Sequence, residues 1–262
     1  MSERPVLVTV TPSVAGRADH IVARAVAVQA ARRLGGVPRA AATSRATVER
    51  EVAPSAEGDL VHLPVGDRRD LSRLLVRLDE AGLRAVVVPL ALGSGPAEVA
   101  RLGGHAVAGR VAVTPPLGAH PLVVDALVRR VAAVGLRERD TVVLAGADDD
   151  LRAAAALLRS RRGGADVRTA GLLDADAPLA DRVVEVRRAA AGRVVVAPWV
   201  LGPGEVFDRV RAGAEVAGAD AVAEPVGAHP MVVALVARRY LAGARLLDAA
   251  ARRVRPGALP AA

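Results

Sequence analysis

The segment Pro116-Leu117-Gly118-Ala119-His120-Pro121-Leu122-Val123-Val124 returns as Pro225-Val226-Gly227-Ala228-His229-Pro230-Met231-Val232-Val233. Each copy then runs into a pair of arginines, Arg129-Arg130 and Arg238-Arg239. Upstream, Pro89-Leu90-Ala91-Leu92-Gly93-Ser94-Gly95 returns as Pro198-Trp199-Val200-Leu201-Gly202-Pro203-Gly204. Both motifs are displaced by one and the same interval, His120 to His229 and Pro89 to Pro198. A period this long is too large for a solenoid or propeller unit and suits two copies of a small domain. A cleft between two such domains is a common place for a ligand.

The length of 262 residues accommodates two such domains. Hydrophobic residues make up 52% of the chain but aromatics only 1%, so the core has to be built from Ala, Val and Leu. All 36 basic residues are arginine, and lysine, asparagine and cysteine are absent, which reads as GC-rich codon usage. The net charge of +8 permits a nucleic-acid partner. The arginines are dispersed, however, and three aromatics cannot supply stacking platforms. That leaves a solvated basic surface, or a basic cleft for a polycarboxylate or phosphate ligand.

Without cysteine there is no disulfide, no thiolate metal site and no cysteine nucleophile. The longest uncharged run, Val111–Val124, is short, holds three prolines and cannot be a membrane span. With no signal-peptide pattern at the start, the expected location is cytoplasmic.

Strand and helix patterns alternate along both copies. In the first, Pro5–Val10 is a strand, Asp19–Leu34 a helix, Val37–Thr43 a second strand and Arg50–Arg69 a loop. Leu71, Leu74, Leu75 and Leu78 form the stripe of a helix over Asp70–Ala81, stopped by Gly82. Ala85–Leu92 and Val111–Val113 are strands, and Pro121–Val134 a helix with proline in its first turn. In the second copy, strands are expected at Thr141–Gly146, Asp166–Ala170, Arg193–Val200 and Ala219–Ala223. Helices are expected at Leu151–Arg161, Leu179–Ala190, Glu205–Ala212 and from His229 to about Ala250. Near-continuous valine runs between helices mean parallel sheets covered on both faces. The expected fold is therefore α/β, with two similar domains of about four strands each, over residues 1–134 and 140–252, and a disordered tail over 253–262.

Three sets of residues could carry chemistry. Gly93-Ser94-Gly95 and Gly202-Pro203-Gly204 follow apolar strands, where parallel sheets bind ligands. They are either tight turns or close-approach loops exposing helix N-terminal amides to an anion. His120 and His229 either cap the helices that follow or face one cleft as metal ligands or bases. Asp148-Asp149-Asp150 suits a helix start or a hard-cation site. His20, His62 and His105 are isolated and are expected to have surface or capping roles.

These motifs together resemble the sirohydrochlorin chelatases, the class II tetrapyrrole chelatases of siroheme and cobalamin synthesis. The resemblance runs from about Pro5 to Tyr240 and is clearest in Val194–Gly204, in Phe207-Asp208-Arg209 and in Gly218–Pro230. In the first half, Val86–Leu92 and Pro115-Pro116-Leu117-Gly118 match. The resemblance implies two chelatase-like domains facing a cleft and insertion of Co²⁺ or Fe²⁺ into sirohydrochlorin, a macrocycle with eight carboxylates. The metal is then a substrate, no cofactor is bound permanently, and the partner is an anionic tetrapyrrole, with no nucleic acid and no membrane. It also implies Ser13, Ser94, Gly95, Gly202 and Gly204 as substrate-binding residues.

The family places one histidine directly after the first strand and a second after the third strand, shortly past a glycine. Here those places fall near Thr11 and Ala97, and neither is a histidine. Neutral imidazole can both deliver a metal and take a pyrrole proton near pH 7, which threonine and alanine cannot. Two expectations follow: a chelatase using atypical groups such as Glu98, His120 or His229, or a non-catalytic chelatase-fold protein that binds a tetrapyrrole or a protein partner.

Overall fold

The protein is described by a computed structural model covering residues 4–11, 17–35, 60–64, 68–93, 109–146, 150–163, 166–172, 179–189 and 192–254. The first half contains β1 (Val6–Thr11), α1 (Arg17–Arg33), β2 (Leu60–Pro64), α2 (Arg68–Glu80), β3 (Ala85–Pro89), β4 (Val111–Val113) and α3 (Pro121–Ala133). The second contains β5 (Thr141–Gly146), α4 (Leu151–Arg161), β6 (Val167–Gly171), α5 (Leu179–Ala189), β7 (Val194–Pro198), α6 (Glu205–Val216), β8 (Ala221–Val222) and α7 (Pro230–Val254). They form two four-stranded sheets with matching orders, β2-β1-β3-β4 and β6-β5-β7-β8, and every pairing is parallel. The α/β architecture with two similar sheets is thus the one the repeat predicts.

The strand edge of the first sheet departs from expectation. Val37–Thr43 lies outside the described residues, and β1 pairs instead with Leu60–Pro64, inside the stretch expected to be loop. A parallel partner needs only a few extended residues, and Leu60-Val61-His62-Leu63 supplies them. Of the residues that suggested a loop, Pro54, Gly58 and Gly66 flank this strand in the sequence and Pro64 ends it.

The repeat is also not uniform. Ala85 and Val194 pair equivalently and are separated by the same interval as the repeated motifs. Their strand partners Val6 and Thr141 also correspond, yet lie farther apart in the chain. The first half therefore carries an insertion between its first and third strands.

Because strand side chains alternate faces, each sheet feeds two cores. Val6, Val8, Val10, Ala85 and Val87 meet Leu71, Leu74, Leu75 and Leu78 of α2 on one face of the first sheet. Gly82, with φ of 74°, ends α2 in a left-handed turn that L side chains rarely adopt. Val143, Ala145, Val194 and Val196 meet α5 and α6 through Leu179, Val183, Val186, Val210 and Ala214 on one face of the second. The opposite faces share a single core containing Leu7, Val26, Val86, Leu127, Val142, Leu158, Trp199 and Tyr240. Its helices are α1, α3, α4 and α7, sandwiched between the sheets.

The two helices that begin with the repeated motif are exchanged between halves. α3 packs on α4 and β7 of the second half, α7 packs on α1, β3 and β4 of the first, and the two pack on each other. α7 is pinned midway, where Tyr240 Oη donates to the Pro5 carbonyl at 2.7 Å, and in its last turns, where Asp248 pairs with Arg84 at 2.8 Å. It runs to Val254, into the segment expected as a tail. No helix among the described residues is long and apolar enough to cross a membrane.

Candidate functional site

Ligands of parallel sheets bind beyond the carboxyl ends of the strands. At that end of β1 stands Thr11, buried beside β2 and β3. Its Oγ1 lies 3.0 Å from Nδ1 of His20, in the first turn of α1. A histidine nine residues further along the sequence thus reaches the strand end. An imidazole therefore stands beside the position where the resemblance led us to expect one. The sequence held a signal for it, a histidine at the start of the first helix, but His20 looked isolated because strand–turn–helix proximity is invisible to linear spacing.

His120 and His229 start α3 and α7. Nδ1 of His120 accepts from the Leu122 backbone N–H at 3.1 Å, and Nδ1 of His229 accepts from Met231 N–H at 3.3 Å. Accepting at Nδ1 fixes the neutral tautomer with its proton on Nε2. Neither ring then has a lone pair to offer a metal or a proton while the cap is in place. Burial lowers the pKa of His120, assisted by Arg239 and Arg238 and opposed by Asp125. Burial likewise lowers that of His229, assisted by Arg130 and Arg129.

The arginines belong to the opposite copy in each case. Arg130 of α3 donates to the Val226 carbonyl ahead of α7, and Arg239 of α7 donates to the Pro116 carbonyl ahead of α3. The repeated arginine pairs thus lock the exchanged helices onto each other's entry loops.

Stability should consequently fall as pH drops. Unfolded histidine titrates near 6.5 and the folded caps titrate lower, so the unfolded chain binds protons first. The stabilisation is complete above about pH 6.5 and is lost as pH falls toward the folded values. We expect His120→Ala and His229→Ala each to cost about 1 kcal/mol, as cap removal does, and to flatten this acid limb. Urea unfolding at pH 7.5 and pH 5.5 measures both effects.

The glycine loops are only partly described. Gly93 follows β3 after Leu90-Ala91-Leu92, whereas Ser13, Ser94, Gly95, Ala97, Glu98 and His105 lie outside the described residues. In the second half, Gly204 is the extended N-cap residue of α6 and donates its N–H to the Gly202 carbonyl at 3.1 Å. Asp150 is the N-cap residue of α4, at a helix start, without a side-chain cap bond, while Asp148 and Asp149 lie outside the described residues. A Cβ on Gly118, in the loop after β4, would sit 3.7 Å from Oδ2 of Asp150, after β5. Loops at the carboxyl ends of both sheets therefore meet. Among the described residues, no group of three His, Asp or Glu side chains could hold a metal ion.

No protein-family model and no curated protein matches the sequence. Solved structures do match the fold. SirB from Bacillus subtilis, solved with Fe³⁺, aligns over 94% of this chain and 98% of its own with a TM-score of 0.66 and 15% identity. Shikimate 5-dehydrogenase from Thermus thermophilus, in complex with NADP(H) and shikimate, aligns over 96% of this chain and 100% of its own at a TM-score of 0.43 and 17% identity. The fold is that of a chelatase-like, two-sheet α/β protein.

Proposed function

We propose that the protein binds an anionic tetrapyrrole of the sirohydrochlorin type and inserts Co²⁺ or Fe²⁺ into it, with His20 supplying the imidazole. The observation that carries this reading is the Thr11–His20 contact at the carboxyl end of β1. Of the three histidines whose side chains are described, two spend Nδ1 on a backbone N–H. A threonine hydroxyl can accept as well as donate, so His20 can give its Nδ1 proton to Thr11 and keep a lone pair on Nε2. The likeness to SirB in fold supports the same class of activity.

Insertion replaces two pyrrole N–H protons by one divalent metal. The first proton passes to Nε2 of His20, Thr11 accepts the Nδ1–H of the resulting imidazolium, and the second leaves to solvent. Arginines would hold the macrocycle carboxylates through charge-assisted hydrogen bonds. The Gly202–Gly204 loop would let backbone amides approach the ligand edge, with Ser13, Ser94 and Gly95 doing so from the first half.

A second reading keeps tetrapyrrole or partner binding and drops catalysis. It is favoured by Thr11 and Ala97, which stand where the resembled family has histidine. On that reading, wild type binds sirohydrochlorin without speeding insertion, and combining Thr11→His with Ala97→His creates or raises activity. Stopped-flow absorbance of wild type and the double variant separates the two. A wild-type rate above background that the double variant cannot improve supports the enzyme. A silent wild type rescued by the two histidines supports the binder.

A further inference from the structure

The amino ends of the two sheets are closed differently, although their strands correspond in order and register. In the first sheet, Arg84 immediately precedes β3, and its guanidinium is met by Asp248 from the last turns of α7. Its equivalent in the second sheet is Arg193, immediately before β7 and displaced by the interval of the repeat. The helix that would deliver the matching carboxylate is α3, but α3 has 13 residues against the 25 of α7. It ends at Ala133, and the chain just beyond it meets Arg193 instead, whose NH1 donates to the Gly135 carbonyl at 3.2 Å and lies 4.0 Å from Oδ2 of Asp140; a cavity of about 550 Å³ opens beside this contact.

Arg137, Arg139, Arg187 and Arg193 line this cavity together with Glu138, Asp140, Asp220 and Gly192. The two aspartates are committed to the fold. Asp140, 3% exposed, accepts the backbone N–H groups of Arg137 at 2.8 Å and Arg193 at 3.1 Å. Asp220 accepts the Val194 N–H at 2.8 Å and pairs with Arg187 at 2.9 Å. Gly192 is pressed against the Arg139 carbonyl so closely that no side chain fits there, which fixes the linker beside the opening.

Arg137 and Arg139 are exposed, and their guanidinium groups make no hydrogen bond or ion pair among the described residues. Behind them, Arg162 donates to the carbonyls of Arg137 and Asp140, and its NH1 is buried with no partner among the described residues. Even with Glu138 at the rim, the uncommitted charge is positive.

We propose that this cavity is a second ligand site, remote from the carboxyl-end cleft, for a small molecule bearing phosphate or carboxylate oxyanions. Arg137 and Arg139 grip the oxyanion in bidentate fashion, above Arg193, which is held at the base by the Gly135 carbonyl and Asp140. Planar guanidinium forks match either anion, and the volume is that of an ordinary small-molecule pocket.

Calorimetric titration of the full chain with inorganic pyrophosphate and with citrate, at low and at 0.5 M NaCl, tests this. At least one should bind saturably and more weakly in high salt. Arg137→Gln and Arg139→Gln, singly, should each weaken it by about tenfold, the value of one charge-assisted bond, without moving the ligand-free melting temperature. His20→Ala should bind the anion as wild type does. The tighter of the two anions identifies phosphate or carboxylate as the preferred group. The proposal is overturned if neither anion binds, or if both arginine variants bind with wild-type affinity.

Discussion

His20→Ala is expected to lower the rate of Co²⁺ insertion into metal-free sirohydrochlorin by about 10²–10⁴-fold, the usual contribution of a positioned acid–base group. Affinity for the macrocycle should not change, because the proposed function assigns its carboxylates to arginines and backbone amides rather than to the imidazole. Thr11→Val keeps the ring but removes the oxygen that orients it, so its rate should fall between those of wild type and His20→Ala. Free imidazole added to His20→Ala should recover part of the lost rate, which a merely structural histidine would not permit. Binding is read from the shift of the macrocycle absorbance on titration, and insertion from its change with time after metal is added. An unchanged rate in His20→Ala would remove this residue from the chemistry.

The second large effect is on stability. Gly243 sits in α7 where the helix crosses the first sheet, and a Cβ there would lie 2.5 Å from Cγ1 of Val86 and 3.3 Å from Cγ2 of Thr114. Val86 is fully buried and Thr114 nearly so, which leaves neither room to retreat. Gly243→Val should therefore push α7 off the sheet and cost about 1–3 kcal/mol, the range for overpacking a close-packed core. For a chain of this size that lowers the melting temperature by roughly 2–4 °C per kcal/mol. Helix propensity alone predicts the opposite sign, since glycine is the poorest ordinary residue inside a helix. A variant as stable as wild type would show that α7 does not approach the sheet as described.

Much of this architecture was legible in the repeat. The interval shared by the two motifs identifies β3 with β7 and α3 with α7, and the apolar runs at Val86–Val88 and Val194–Val196 are buried strands as their composition demands. Two features were hidden for definable reasons. β2 is a short edge strand whose position is set by hydrogen bonding to β1, and local composition around Pro64 and Gly66 argued for a loop. The exchange of α3 and α7 is a tertiary event, because each helix shows one apolar stripe and nothing in that stripe names the sheet it covers. The repeated arginine pairs are a trace of it, since Arg130 and Arg239 hold the entry loops of each other's helices, a meaning that sequence spacing does not carry.

The candidate site was less legible than the fold. Glycines after β7 and histidines before α3 and α7 stand out as motifs, but a cap histidine and a catalytic histidine look alike in a sequence. What distinguishes them is which ring nitrogen is already engaged, and by what. Leu122 and Met231 offer N–H donors, which occupy the ring lone pair, while Thr11 offers a hydroxyl that can accept.

The central claim is that the chain inserts a metal into a tetrapyrrole, and the most direct measurement is the wild-type insertion rate itself. Purified protein is incubated with metal-free sirohydrochlorin and Co²⁺ or Fe²⁺ near pH 7.5, and the absorbance change is compared with the protein-free reaction. We expect an insertion rate well above background, lost in His20→Ala and retained in His120→Ala and His229→Ala once their lower stability is allowed for. A wild-type rate equal to the uncatalysed one, with the macrocycle demonstrably bound, would contradict the claim.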